Sequence, residues 1–426
     1  MTNIQRNWAG NYTYNAVHLH RPTTVGQVQE IVSRCNKLRV LGSRHSFNGI
    51  ADCNEDLLSL EYLNQVITLD RERHTVTIEG GVRYGPLCQY LHREGFALHN
   101  LASLPHISVT GACATATHGS GDRNGNLATA VVALEFVTAN GEVVALSREQ
   151  DSDQFQGAVV GLGGLGVVTR LTLKVETTFE MRQTVYEDLP LPELENNFDQ
   201  ITDSAYSVSL FTDWQNTSFN QVWLKQRVVV DRDNSMEAGP AIFFGAVPAP
   251  ATLHPIRAIS AENCTAQMGI PGPWYERLPH FKMDFTPSSG EELQTEYLIP
   301  RQYAIAAIEA INHLRGQIAP LLQISEIRTV AADKLWLSPC YQQACVALHF
   351  TWKMDWEAVR QLLPLLEKQL VPFQARPHWG KLFTMPPSQV QSLYKKLPDF
   401  QDLLRYYDPH GKFRNAFLDA YIFGTA

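Results

Sequence analysis

Apolar positions recur with a helical period near the start of the chain. Val25, Val28, Ile31, Val32 and Cys35 lie three or four residues apart. They follow Thr24-x-x-Gln27, a capping-box pattern that predicts where the helix begins. Arg39-Val40-Leu41 reads as a short strand running into Gly42-Ser43-Arg44-His45-Ser46. Residues 65–70 and 75–79 read as paired strands, and 86–94 as a helix stopped by Gly95. Apolar stretches at 131–139 and 142–146 flank Asn140-Gly141, which favours a type I′ hairpin turn. A short helix is expected near Asp151. From 167 to 175 the period falls to two: Thr169, Leu171, Leu173 and Val175 share one face, and Arg170, Thr172 and Lys174 the other.

The texture changes after Val175. Residues 176–386 hold most of the tryptophans, many prolines and long alternating stretches, with helices expected at 301–314 and 356–370. The tail from Pro387 has another helical stretch. The pattern predicts an α+β fold of two domains. One spans 1–175 and is completed by 387–426; the other, a substrate or cap domain, spans 176–386. A length of 426 residues suits two or three domains at ~100–200 residues each.

Charge sharpens this picture. Asp plus Glu number 43 and Lys plus Arg 35, for a net charge of −8, so the basic footprint of a nucleic-acid binder is missing. Residues 95–121 contain no Asp, Glu, Lys or Arg. A membrane span needs ~20 mostly apolar residues. This run holds His99, Pro105, His106, His118 and many Ser and Thr, so it is polar without being charged. A second charge-free run, 238–256, carries four prolines and reads as a loop. The N-terminus lacks an apolar signal core, and the seven cysteines are irregularly spaced with no Cys-x-x-Cys. A cytoplasmic monomer with buried free thiols is expected.

Four features bear on chemistry. Gly161-Leu162-Gly163-Gly164-Leu165-Gly166 matches the dinucleotide fingerprint by letter, but a helix precedes it and a strand follows. The pyrophosphate mechanism needs the opposite order, so the loop reads as a tight connection whose backbone could still line another cofactor. Gly42 to Ser46, after a strand, could form a nest of backbone N–H groups for an anion. Ser103, Ser108, Thr110, Gly111, Thr115, Thr117, His118, Gly119 and Ser120 are dense in neutral donors, with Ala112, Ala114 and Ala116 between them. Such dipoles can hold a buried pyrophosphate; a small-residue core with satisfied hydroxyls fits the same composition equally. On 345–353, His349 and Thr351 share a strand face, and Glu326 and Arg328 have the same spacing on another strand, with Lys381 beyond. These groups suit a polyhydroxylated substrate, and an ordinary solvated sheet face suits them too. The close pair His18-x-His20 reads as the exposed side of an early strand with no third ligand, so no metal is expected.

Together these segments resemble a known family. Val40 to Phe47 resembles the pyrophosphate loop of the vanillyl-alcohol oxidase superfamily of flavoproteins. Asn100 to Gly111 and Thr117-His118-Gly119-Ser120-Gly121 resemble the flavin-cradling segment of its alditol oxidases, the xylitol and sorbitol oxidases. Ser325-Glu326-Ile327-Arg328 and Leu348-His349-Phe350-Thr351-Trp352 are similar to their substrate strands. Arg376-Pro377-His378-Trp379-Gly380-Lys381 is similar to a motif shared with sugar-lactone oxidases. The resemblance implies the two-domain FAD-binding fold of that superfamily and FAD attached covalently through His45. Leu41, Gly42, Ser43, Arg44, His45, Ser46, Phe47, Ser103, Ser108, Gly111, Ala114, Thr115, Ala116, Thr117, His118, Val167 and Val168 would contact the cofactor. Ser103, Glu326, Arg328, His349, Thr351 and Lys381 would bind a polyol, with His349, Arg328 and Lys381 catalytic. The implied reaction moves a hydride from the primary C1 hydroxyl carbon to flavin N5 and turns O2 into H2O2. A sugar-1,4-lactone oxidase or dehydrogenase of the same fold is the alternative.

Overall fold

The computed structural model describes residues 6–228, 241–283 and 291–425. Thr24 opens α1 (Val25–Arg34) by accepting the Gln27 amide on its hydroxyl at 3.2 Å. The Gln27 side chain returns to the Thr23 amide at 2.8 Å, one residue earlier than the capping-box pattern implies. Val28 and Val32 bury against Leu38, Leu58 and Phe413. They cover a small parallel sheet of β1 (His18–His20), β2 (Leu38–Val40) and β3 (Asp56–Leu58), in the order β1-β3-β2.

A five-stranded antiparallel sheet lies beside it. Its strands are β4 (Val66–Asp70), β5 (Thr75–Glu79), β6 (Val131–Val137), β7 (Val143–Ser147) and β8 (Val167–Lys174), in the order β4-β5-β8-β6-β7. Along β8 buried residues alternate with less buried ones, as the sequence period requires. The helices of this half are α2 (Tyr84–Arg93), α3 (Val109–Ala114) and α4 (Ser152–Val159). The hairpin between β6 and β7 forms, but its turn is not type I′. That type needs positive φ at both central residues, and here Gly141 (φ 85°) has it while Asn140 does not. Gly141 donates to the Thr138 carbonyl at 2.9 Å, and Asn140 Oδ1 accepts the Glu142 amide at 3.2 Å. Asn140 thus hydrogen-bonds locally, and a three-residue loop ending in a left-handed glycine replaces the two-residue turn.

Residues 180–377 build a nine-stranded antiparallel sheet. Its long strands are β9 (Glu180–Pro190), β10 (Ser207–Thr212), β11 (Ser218–Arg227), β12 (Leu293–Pro300), β13 (Leu322–Val330) and β14 (Cys345–Trp352), ordered β9-β11-β10-β13-β14-β12. Helices α5 (Ala304–Asn312) and α6 (Trp356–Leu370) pack together. A 3-10 turn over Arg301–Tyr303 leads directly into α5, so the helical stretch begins where the pattern predicts. Arg301 pairs with Asp122 at 2.7 Å, an ion pair that ties the large sheet to the first half of the chain. The proline-rich run, described from residue 241, has only the two-residue strand Val247–Pro248.

The tail, with α7 (Leu397–Tyr407), returns to the beginning. Arg39, 2 % exposed, donates to the carbonyls of Leu162 (2.8 Å), Gly163 (2.7 Å), Phe413 (2.8 Å) and Ile50. One guanidinium therefore fastens β2, the Gly161–Gly166 loop and the tail. That loop runs from helix to strand. A Cβ on Gly166 (φ 154°) would lie 2.3 Å from the Val137 carbonyl oxygen, so the connection is as tight as the sequence suggests. Among the described residues no helix is long and apolar enough to cross a membrane, and all seven cysteines are free thiols.

Candidate active site

β2 delivers the chain into Leu41–Phe47, and α3 brings its first turn against that loop. The Ser108 amide donates to Ser43 Oγ at 3.0 Å. A Cβ on either Gly42 or Gly111 would sit 2.7 Å from Ser108 Oγ, so both glycines are set by this close approach. The buried Thr110 hydroxyl has no partner and faces the same space. These residues border a cavity of about 600 Å³. Leu41 to Phe47, Ser103, Ser108, Gly111, Ala114, Thr115, Thr117, His118 and Val168 line it, as do Gly161, Leu162, Gly163, Leu165 and Gly166. Ala116 and Val167 do not. Val167 is fully buried on the opposite face of β8, against Val28 and Phe413. Ala116 takes a left-handed turn (φ 54°) that buries its methyl group in the core.

The cavity fits a flavin dinucleotide. Small residues and hydroxyls line one end, and His45 stands farther along. The His45 ring stacks on Trp8 at 5.2 Å and 18°. Its Nδ1 is buried without a partner, and burial, aided by the nearby Lys381 charge, pushes the imidazole down to about 3. A neutral imidazole on this wall has the character of a nucleophile.

The far end is built by strand register. On the neighbouring strands β12, β14 and β13, Glu296 pairs with His349, and His349 pairs with Glu326. This puts a carboxylate on each side of one imidazole. Arg328 donates to Glu296 at 2.6 Å. His349 Nδ1 lies 3.6 Å and His118 Nε2 3.2 Å from the same carboxylate oxygen. Burial alone would raise the Glu296 carboxyl, but His118, Arg328 and His349 hold it well below the usual carboxylate range. His349 Nε2 contacts the Thr351 hydroxyl at 3.2 Å. Lys381 reaches the cluster because Arg376–Pro377 pairs with β12 and the following turn folds back. It donates to Gln294, and burial lowers its ammonium to about 8.

A second layer supports Glu326. His280 Nε2 meets it at 2.8 Å, and Lys225 lies behind, donating to the carbonyls of Leu278 (2.5 Å) and Pro279 (3.1 Å) and to His280 Nδ1 (3.2 Å). An ammonium can only donate, so His280 accepts at Nδ1 and donates from Nε2.

All six residues expected to bind a polyol, Ser103, Glu326, Arg328, His349, Thr351 and Lys381, line this one cavity. The charged cluster is a buried one, not a solvated sheet face: Arg328 is 7 % and His349 9 % exposed. Sequence reading missed Glu296, Gln294, His280 and Lys225. Gln294 and Glu296 stand two apart on β12, but all eight residues of that strand are buried, so no alternation sets them off. His280 lies outside the regular elements, so no period marks it. His20, read from sequence as having only His18 nearby, meets Asp56 in the fold at 2.7 Å from its Nε2, with Cys35 close by.

Comparison with known proteins identifies the whole. The chain is 48 % identical to an alditol oxidase of a Streptomyces species, over 98 % of this chain and 99 % of that one. It belongs to the alditol oxidase family. This alditol oxidase family member is an FAD-dependent oxidoreductase acting on CH–OH groups. The family described as "FAD binding domain" matches residues 17–147, and that described as "D-arabinono-1,4-lactone oxidase" matches 286–421. The L-gulonolactone oxidase of Mus musculus is 26 % identical over 97 % of each chain. The crystal structure of cholesterol oxidase from B. sterolicum superposes with a TM-score of 0.76 at 16 % identity, covering 98 % of this chain and 96 % of that one, which shows a shared fold.

Proposed function

We propose that this protein oxidises the primary C1 hydroxyl of alditols such as xylitol and sorbitol to the aldose, with O2 reduced to H2O2. The observation that carries this reading is the buried row Glu296–His349–Glu326, with Arg328 and Lys381, closing the far end of the flavin cavity. When bound, FAD supplies the hydride acceptor that O2 reoxidises. Leu41 to Phe47, Ser108, Gly111, Ala114, Thr115 and Thr117 would hold it, and His45 would carry it covalently. His349, neutral because burial lowers its imidazole, takes the C1 hydroxyl proton. Glu296 beside Nδ1 steadies the imidazolium as it forms, a role familiar from buried acid–histidine pairs. Arg328 and Lys381 donate to the developing alkoxide, while Ser103, Thr351 and the anionic Glu326 take the remaining hydroxyls.

The second reading, oxidation of a sugar-1,4-lactone, is favoured by the match of 286–421 to the lactone oxidase family. Steady-state turnover of xylitol against galactono- and gulono-1,4-lactone decides between them. Faster turnover of a lactone would overturn the alditol reading. Arg328→Ala and Lys381→Ala should each slow flavin reduction by ~10²–10³ in anaerobic stopped flow, the scale for a lost charge-stabilising donor.

A further inference from the structure

We propose that His20, Cys35 and Asp56, with His18 as a fourth ligand, form a site for a zinc-class divalent metal ion outside the flavin cavity. Parallel pairing sets His18 opposite Asp56, so His18, His20 and Asp56 stand on one face of the small sheet. Helix α1 covers that face and ends at Cys35, whose amide bonds to the Ile31 carbonyl at 3.0 Å. The cluster thus lies at the seam where the helix end meets the first strands.

The geometry is close to what a metal needs. The ligand atoms of His20, Cys35 and Asp56 lie within 4.8 Å of one another. Zinc bonds of ~2.0–2.3 Å in a tetrahedron place ligand atoms about 3.3–3.8 Å apart. Shifts of about an ångström in partly exposed side chains close the difference. The exposed His18 ring lies 6.3 Å from the His20 ring, within rotamer reach of the same point. Two imidazoles, a thiolate and a carboxylate form a set that selects zinc over magnesium or calcium. The C-terminal end of α1 adds a partial negative charge that favours a cation. One group competes: Lys412, tied to the Val32 carbonyl, also acts on Cys35.

Binding balances simply. Burial, then Asp56, holds the Cys35 thiol up at about 11, so the metal must displace its proton to solvent. His20 moves its ring proton to Nδ1 and gives the metal its Nε2 lone pair, which ends its present contact with Asp56. Leu19, between the two histidines, and Ser59 to Glu61, just after β3, line the flavin cavity. A bound ion would therefore brace one cavity wall from outside.

The test uses chelator-treated holoenzyme titrated with Co2+ and read as a difference spectrum, so that the flavin bands cancel. One Co2+ per chain with a sulfur-to-cobalt charge-transfer band is expected. Cys35→Ser and His20→Ala should lose the band, and His18→Ala should keep it at weaker affinity. In parallel, saturating zinc should protect Cys35 of the unmodified enzyme from iodoacetamide, mapped by mass spectrometry. This arm needs no variant to fold. Cobalt bound without the band, a band that survives Cys35→Ser, or alkylation of Cys35 indifferent to zinc would overturn the proposal.

Discussion

His45 is a histidine that does not titrate where histidines usually do. Trp8 stacks on its ring, burial disfavours the charged form, and the Lys381 charge opposes a second cation, so the imidazole stays neutral near pH 7. If it carries the flavin, His45→Ala should give a denatured band without flavin fluorescence, while unmodified protein keeps a fluorescent band; a fluorescent variant band would place the attachment elsewhere. Lys225 acts at one remove. It fixes the proton of His280, and His280 orients Glu326. If Glu326 binds the distant hydroxyls of an alditol, as proposed, Lys225→Met should raise KM more than it lowers kcat. The lysine itself is lowered to about 7 by burial, so KM of the unmodified enzyme should climb as pH rises through 7, and in the methionine variant that dependence should vanish. Equal losses in KM and kcat without a change of pH profile would make Lys225 merely structural.

At the scale of elements, the Gly161–Gly166 connection gives the clearest single test. A methyl group at Gly166 would meet backbone, which cannot swing aside as a side chain could. Gly166→Ala should cost ~1–3 kcal/mol, visible as a lower Tm and a smaller denaturation midpoint. The same loop shows what sequence can say: helix before, strand after, glycines between, and a nicotinamide-type site excluded on order alone. β8 was legible for a similar reason, since one face is buried and the other is not. β12 was not, because all eight of its residues are buried and no alternation marks it. Gln294, Thr295 and Glu296 look unremarkable until register sets Glu296 beside His349, and register between strands about 50 residues apart has no local signature. The cavity-lining loop Leu41–Phe47 was readable because it is contiguous; the acid–imidazole row is assembled from three strands, so only its Glu326, Arg328, His349 and Thr351 members were seen. The hairpin failed in detail, since Asn140 used its side chain where a backbone turn was expected.

The whole molecule carries an acid sensitivity set by its buried imidazoles. Burial lowers His378 to about 3 and His280 to about 4. In the unfolded chain they take up protons near pH 6.5. Between that pH and the folded values the unfolded state binds more protons, so stability is full above about pH 6.5 and drains as pH falls towards 3–4. The depressed Glu296 and Glu326 add to the loss with the same sign at lower pH. A Tm profile in holoenzyme should slope downward from about pH 6.5, and His378→Gln should flatten it. A level profile from pH 7 to 4 would contradict the assignment.

The fastening around Arg39 has a consequence in time. Its carbonyl partners lie as far as Gly163 and Phe413, and Asn415 adds bonds to Gly49, Ile50 and Asp52. A chain emerging from the ribosome folds its early segments first, yet here the strand and loop proposed to hold the pyrophosphate lack their last supports until residue 415 is made. Flavin capture is thus an event of the finished chain. A translation arrested near residue 407 should release a polypeptide with most of its helices and strands and no flavin. Supplying residues 408–425 as a separate peptide should restore flavin uptake.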